Sequence, residues 1–209
     1  MPAEIKDSFN IGTKCVIVAD SDLRGEITIG SGSVLQPRCT ILALSGPIII
    51  GSNNIIEENV VIVNRLKQPL VIGDYNLFQV GCRIESPKIG DYNNFGIRSR
   101  VSPHVQVESN CTIGAGCIVL PSPFPPTTIP STTAPGPEPE EGEAAREKMK
   151  FDPTTTIETL VSCTNVFGSE NRRRVNDNGE GSVQEKALFV KHIEYLRESL
   201  PRFHKLKMF

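Results

Sequence analysis

Large aliphatic or aromatic side chains recur at every sixth position through most of the first half of the chain. The series runs Ile11, Ile17, Leu23, Ile29, Leu35 and Ile41, restarts at Ile50, Ile56 and Ile62, again at Ile72, Phe78 and Ile84, and finishes with Ile89, Phe95, Val101, Val107, Ile113 and Val119. A step of six matches neither the turn of an α-helix nor the simple alternation of a hairpin strand. Glycine directly follows the periodic residue at Gly12, Gly30, Gly51, Gly73, Gly90, Gly96 and Gly114. It would weaken a helix there, and instead suits a corner where backbones come close or φ turns positive. One short strand and one corner per six residues account for both features, with the large side chain pointing inward. Three such sides close a triangular coil of about 18 residues, and coils stack about 4.8 Å apart through parallel ladders. The pattern predicts an all-β fold, a parallel β-helix of hexapeptide repeats over residues 1–120.

The fifth position of each hexad is an independent sign of the coil. It carries Cys15, Ser21, Ser33, Cys39, Asn54, Val60, Asn76, Cys82, Asn93, Ser99, Val105, Cys111 and Cys117, with Ile27 the bulky exception. A slot for small residues explains the cysteine spacing without a metal. Zinc sites want close pairs converging on one point, whereas Cys111 and Cys117 fall on different sides of a coil. Asparagine suits the slot because it tolerates left-handed backbone better than most residues. One phrase is repeated outright: Ile72-Gly73-Asp74-Tyr75-Asn76 returns as Ile89-Gly90-Asp91-Tyr92-Asn93, and each copy leads to a phenylalanine, Phe78 or Phe95. The interval is one coil less one residue, so the copies are expected to be stacked corners rather than two catalytic motifs. The stretches Leu42 to Ile48 and Val63 to Leu70 interrupt the count, each with a proline, and read as loops at corners of the column.

Beyond Val119 the character changes. Pro121 to Glu140 holds 8 prolines in 20 residues and leads into the charged EGEAAREKMK, a composition that buries too little apolar surface to order itself. Residues 121–154 are therefore expected to form a disordered, proline-rich insertion, with the linker reading favoured over a ligand for an aromatic-lined groove. Residues 155–180, apolar again in TTIETLVSCTNVFG, are expected to supply a last coil and a connection. In residues 181–209, Ser182-Val183-Gln184-Glu185 has the form of a capping box, and Val183, Ala187, Val190, Ile193, Leu196 and Leu200 mark one face of a helix stopped by Pro201. A lone amphipathic helix must lie against something: its own β-helix in the simplest case, otherwise another subunit.

Composition narrows the function. The chain has 209 residues, a net charge of -2 and a pI near 6.0, which argues against a dominant nucleic-acid surface because phosphate binding needs clustered basic charge. The one tight basic run, Arg172-Arg173-Arg174, reads as solvated surface. The start lacks a signal-peptide pattern and no stretch is long and apolar enough for a membrane span. A cytoplasmic protein with six reduced cysteines is the expectation.

These hexads resemble the hexapeptide-repeat left-handed β-helix superfamily, which includes acyltransferases and γ-class carbonic anhydrases. More closely, RGEITIGSGSVLQP, GPIIIGSNNIIEENVVIVN and the RRRV that leads to one helix and LPRFHKLK resemble the dynactin subunit 6 family, over residues 11–120 and 165–207. The resemblance implies a left-handed coil. It also implies a non-catalytic place in the pointed-end complex of dynactin, the cofactor of cytoplasmic dynein. There such a subunit pairs with dynactin subunit 5, another left-handed β-helix, beside an actin-related protein and dynactin subunit 4, and is associated with the cytoskeleton.

Candidate chemistry is thin. A γ-class carbonic anhydrase needs three histidines converging on a metal from adjacent coils, and the repeat region has only His104; His192 and His204 fall in or after the terminal helix. A hexapeptide acyltransferase needs one histidine as general base beside a coenzyme A groove between protomers of a homotrimer. His104 is the sole candidate for that competing function, at a hexad position expected to face outward. No catalytic, cofactor-binding or metal-ligating set is assigned. The expected role is a stiff scaffold that presents surfaces for dynein adaptors or cargo.

Overall fold

The computed structural model describes residues 6–121, 157–176 and 182–209. It is a left-handed parallel β-helix with one C-terminal α-helix. Three sheets form the walls of a prism. The first wall stacks Ser8–Ile11, Glu26–Ile29, Ile48–Ile50, Leu70–Ile72, Lys88–Ile89, Val105–Val107 and Glu158–Leu160. The second stacks Val16–Ile17, Val34–Leu35, Ile55–Ile56, Leu77–Phe78, Asn94–Phe95, Thr112–Ile113 and Thr164–Phe167, and ends in an antiparallel strand, Arg172–Val175. The third stacks Asp22–Arg24, Thr40–Ala43, Val61–Asn64, Arg83–Ile84, Arg100–Val101 and Ile118–Val119. The proline-rich insertion expected at 121–154 lies outside the described residues apart from Pro121, as does the connection at 177–181.

The period of six is the period of the walls. Every periodic residue from Ile17 to Val119 is buried in one continuous core, and Ile11 packs half-buried against it. Like residues sit over like, because parallel register holds from coil to coil: Ile29 pairs with Ile50, Ile41 with Ile62, and Phe78 with Phe95. The two phenylalanine rings stack 4.8 Å apart and 5° from parallel.

The repeated IGDYN phrase is a stacked corner, and each of its letters has a task. A Cβ on Gly51 would lie 2.6 Å from the carbonyl oxygen of Gly73, and one on Gly73 would lie 2.8 Å from that of Gly90. These glycines are needed for close approach; neither has a positive φ. The Asp74 carboxylate accepts from the Ser52 amide at 2.6 Å and the Asp91 carboxylate from the Asp74 amide at 2.7 Å. Tyr75 and Tyr92 carry the left-handed turn, with φ of 57° and 56°, and their rings stack 4.8 Å apart.

The asparagines differ from expectation. Left-handed backbone falls on the fourth slot, at Lys14, Arg38, Asn53, Tyr75, Tyr92 and Asn110, and not on Asn54, Asn76 or Asn93 in the fifth. The fifth slot faces inward, where these three are fully or nearly buried and form a polar ladder. Asn54 Oδ1 accepts from the Asn76 amide at 2.8 Å, Asn76 Oδ1 from the Asn93 amide at 2.9 Å, and Asn93 Oδ1 from the Cys111 amide at 2.7 Å. Each side chain satisfies a corner N–H of the next coil that the sheets leave unpaired, a group costly to bury alone.

Both interruptions of the count exit between the third and first walls. Buried Asn64 ties them together: its amide donates to the carbonyls of Pro47 at 3.0 Å and Gln68 at 2.8 Å, while its oxygen accepts from the Leu66 amide at 2.9 Å.

The α-helix spans Ser182–Phe203 and lies along the second wall. It starts where the capping-box pattern begins, although the Ser182 side chain is outside what is described. Pro201 does not end it: proline has helical φ and its missing N–H removes a single bond close to the terminus. The buried face is Ile193, Leu196 and Leu200 with Phe189 beside them; Val183, Ala187 and Val190 of the expected stripe are exposed. The wall explains the difference. Its outward residues, in register, are Val16, Val34, Ile55 and Leu77, followed by Asn94, Thr112 and Asn165. Helix and wall bury each other only where the wall is apolar. Arg197 fastens the seam, donating from Nε to the Gly32 carbonyl at 3.0 Å and from Nη2 to Asn53 Oδ1 at 2.7 Å.

Three outcomes are expected. Asn76→Ala leaves the buried Asn93 amide without its acceptor and lowers unfolding free energy in urea by about 1–3 kcal/mol. Leu196→Ala empties the seam and costs about 2–5 kcal/mol, with faster hydrogen exchange in the helix than in the column. The third concerns pH. Burial pushes the Cys39 thiol up to about 12 and the Cys111 thiol up to about 11, against an ordinary value of 9.0, and raises Cys82 as well. Above pH 9 the unfolded chain releases these protons while the folded one keeps them. The stabilisation is therefore complete below pH 9 and lost as pH rises through 11 and 12. The melting temperature is expected to fall over that window, less steeply in Cys39→Ala.

Candidate functional site

The three histidines are dispersed. His104 sits half-buried at the corner between Arg100–Val101 of the third wall and Val105–Val107 of the first. Its backbone is part of the ladder: the carbonyl accepts from the Glu158 amide at 2.9 Å, and its N–H approaches Ser102 Oγ at 3.4 Å. His192 is on the helix, against the second wall, and faces the surroundings of Glu57, whose carboxyl is raised above its ordinary value first by burial. His204 is exposed just past the helix, its amide bonded to the Leu200 carbonyl at 2.9 Å. Among the described residues no three of His, Cys, Asp or Glu converge where a metal ion would fit.

Five of the six cysteines follow the fifth slot, and Cys163 sits at a left-handed turn with φ of 62°. Cys39, Cys82, Cys111 and Cys117 are buried inside corners, and all six cysteines are free thiols. The Cys111 thiol donates to the Val161 carbonyl at 3.2 Å, and Cys15 does likewise to Gly30 at 3.2 Å. A raised pKa keeps the Cys39, Cys82 and Cys111 thiols protonated and poor as nucleophiles or ligands. They are packing groups with a weak donor.

A cleft of about 480 Å³ opens where the first half of the helix leaves the wall. Tyr92, Asn94, Thr112, Asn165, Lys186 and His192 are among its lining. The Lys186 ammonium lies over the Tyr92 ring, 4.3 Å from its centroid, and Phe189 meets Tyr75 edge-on at 6.2 Å. The lining mixes amide, hydroxyl and aromatic groups with Leu77, Leu188, the Cys163 thiol and the His192 imidazole, and its charged groups, Glu185 and Lys186, belong to the first turns of the helix. Cys163 and His192 both line it, but among the described residues no hydrogen bond joins thiol to imidazole.

On the column itself, large apolar side chains are exposed at the end where the last coil lies. Ile118, Leu120, Ile157, Val161 and Phe167 are exposed there together. In the middle of the column the first wall exposes only a stacked pair of large apolar residues, Ile49 over Val71, on its flat outer face. The end coil is held in shape by the hairpin that follows it. Thr164–Phe167 pairs antiparallel with Arg172–Val175, Asn171 Oδ1 accepts from the Ile118 amide at 2.7 Å, and Arg173 donates to the Leu120 carbonyl at 2.9 Å while forming an ion pair with Glu158. Arg173 of the basic run is thus a brace, and Arg172 pairs with Glu170 at 2.7 Å. The rim was not singled out from the sequence, yet a signal was there: Ile118 and Leu120 flank the inward Val119, where the two preceding coils of the third wall carry Arg83 and Glu85, then Arg100 and Ser102.

No protein-family model matches the chain. Solved structures share the fold: a hexapeptide transferase family protein from Anaplasma phagocytophilum superposes with a TM-score of 0.65 at 15% identity, covering 92% of this chain and 93% of that one. A putative acetyltransferase from Bacillus cereus gives 0.51 at 12% identity, covering 91% and 95%. Curated relatives agree on one name. Dynactin subunit 6 of Danio rerio is 29% identical over 212 residues, spanning 96% of this chain and 88% of the relative. Dynactin subunit 6 of Dictyostelium discoideum is 45% identical over 108 residues, spanning 51% of this chain and 57% of the relative. Dynactin subunit 6 of Nematostella vectensis is 30% identical over 210 residues, 95% of this chain and 92% of the relative. Identity of 30% over nearly the whole length of both chains means that the chain belongs to the dynactin subunit 6 family.

Proposed function

We propose that this protein is a non-catalytic structural subunit of dynactin, working as a rigid adaptor in the pointed-end complex in the cytoplasm, on the cytoskeleton. The observation that carries the reading is the apolar rim of Ile118, Leu120, Ile157, Val161 and Phe167 at one end of a stiff column. Exposed apolar side chains at the end of a folded element fit a protein contact, and the end of a parallel β-helix is where backbone edges invite pairing. The partner is another left-handed β-helix, dynactin subunit 5, whose coil ends have the same three-sided cross-section. An actin-related protein and dynactin subunit 4 flank the pair. The outer walls then remain for dynein adaptors or cargo.

The His104 backbone serves the ladder, and the polar groups of the cleft lie along the second wall, away from its corner between the third and first.

Co-expression with the other pointed-end subunits tests the reading. The chain is expected to co-purify with dynactin subunit 5 in a one-to-one complex, and Phe167→Asp or Leu120→Asp to weaken that complex by about tenfold or more, the effect of removing a central apolar anchor. Native mass spectrometry of the chain alone is expected to show no homotrimer. A homotrimer with acyl-transfer activity that His104→Asn abolishes would overturn the scaffold and establish the transferase instead.

A further inference from the structure

The two ends of the column are not alike. At the end that carries the first coil, the chain's own C-terminus doubles back over the open edge. Just past the helix, Leu206 forms an antiparallel bridge with Val18. The Ala19 amide donates to the Lys205 carbonyl at 2.8 Å, and the Lys207 amide donates to the Ile17 carbonyl at 2.7 Å. The Lys207 ammonium donates to the Ser21 carbonyl at 2.7 Å, reaching the next corner. Phe209 then meets Phe9 of the first wall edge-on, with ring centroids 5.6 Å apart. Five residues thus run from the second wall to the first across the end of the core.

The backbone groups they occupy would otherwise face outward. Val16 and Val18 donate to the coil beneath, to Ser33 and Leu35. Ile17 and Ala19 point the opposite way, and in this strand they have the tail as partner. A bare strand edge of this kind is a template for pairing, and its geometry selects the occupant. The strand seated there is antiparallel, and two copies of one strand related by a twofold axis are antiparallel by symmetry. The first-coil edge is therefore complementary to itself, and an isologous contact through it would close a dimer.

We infer that residues 205–209 are an intramolecular plug, which keeps the first coil from pairing with that of a second copy and leaves end-on contact to the opposite end. The inference does not depend on the identity of the partner at the apolar rim, because it concerns the other end and only this chain. The plug is held through a single-residue link, His204, between the helix and the tail, so the helix seam positions it.

Sedimentation equilibrium of the purified chain and of a variant ending at His204 tests this. The full chain is expected at the monomer mass and the truncated one at twice that mass, returning to monomer when a peptide of residues 203–209 is added. A truncated chain that keeps the monomer mass at every concentration overturns the plug, as does a full chain that already dimerises through its first coil. Full-length Lys207→Pro provides a second route, since proline removes the amide donor to Ile17 and the ammonium together. Exchange of the Ala19 amide is expected to rise about tenfold, the equivalent of one net hydrogen bond, with dimer appearing. Unchanged exchange and a monomer would refute the proposal even if the truncated variant does not fold.

Discussion

Coil-on-coil hydrogen bonding at the parallel-sheet repeat governs this molecule. Each coil must offer its N–H and C=O groups at the height where the next coil expects them, so the backbone cannot stand off even where three walls meet. At the corners this admits only residues that allow the approach. Gly51 and Gly73 sit so close to the coil beneath that a Cβ would collide with backbone atoms. Corner N–H groups that no strand can reach are taken by side chains of fixed length: Asp74 and Asp91 outside, Asn54, Asn76 and Asn93 inside. The left-handed turns at Tyr75 and Tyr92 cost conformational energy that the stacked geometry holds in place.

Stacking of like on like follows from the same register. Phe78 over Phe95 fills the core, and Tyr75 over Tyr92 forms a ledge on which Phe189 and Lys186 of the helix rest. A column built this way has little freedom to bend, since displacing one coil breaks ladders on three walls. Variation is pushed outward. Extra residues leave only at one corner, where Asn64 binds the two loops together, and the outer faces change character from coil to coil without disturbing the core.

That freedom of the outer faces separates fold from function. Transferase-like structures superpose on this one at 15% identity or less, so the prism itself is silent about chemistry. What differs is decoration: a helix seated on Val16, Val34, Ile55 and Leu77, an apolar rim at the last coil, and a tail across the first. Each uses an edge or an outward position, and together they give the column two unlike ends.

The prism is legible in the amino-acid pattern alone. A period of six, glycine after the inward residue and a small fifth residue are local requirements repeated in every coil, so they are written many times and can be read without coordinates. The pattern also located the stacked IGDYN corners, because an echo at one coil's interval has few other meanings. It did not assign the asparagines: their task is to reach the next coil, a relation between residues about 18 apart that local backbone preference does not contain. Nor did it set the helix face, since Phe189 is chosen over Val190 by where the wall is apolar, or the path of the tail, which meets residues nearly two hundred positions away. Those decisions belong to tertiary structure, because they depend on which surfaces the finished column brings within reach of one another, and each is made only once.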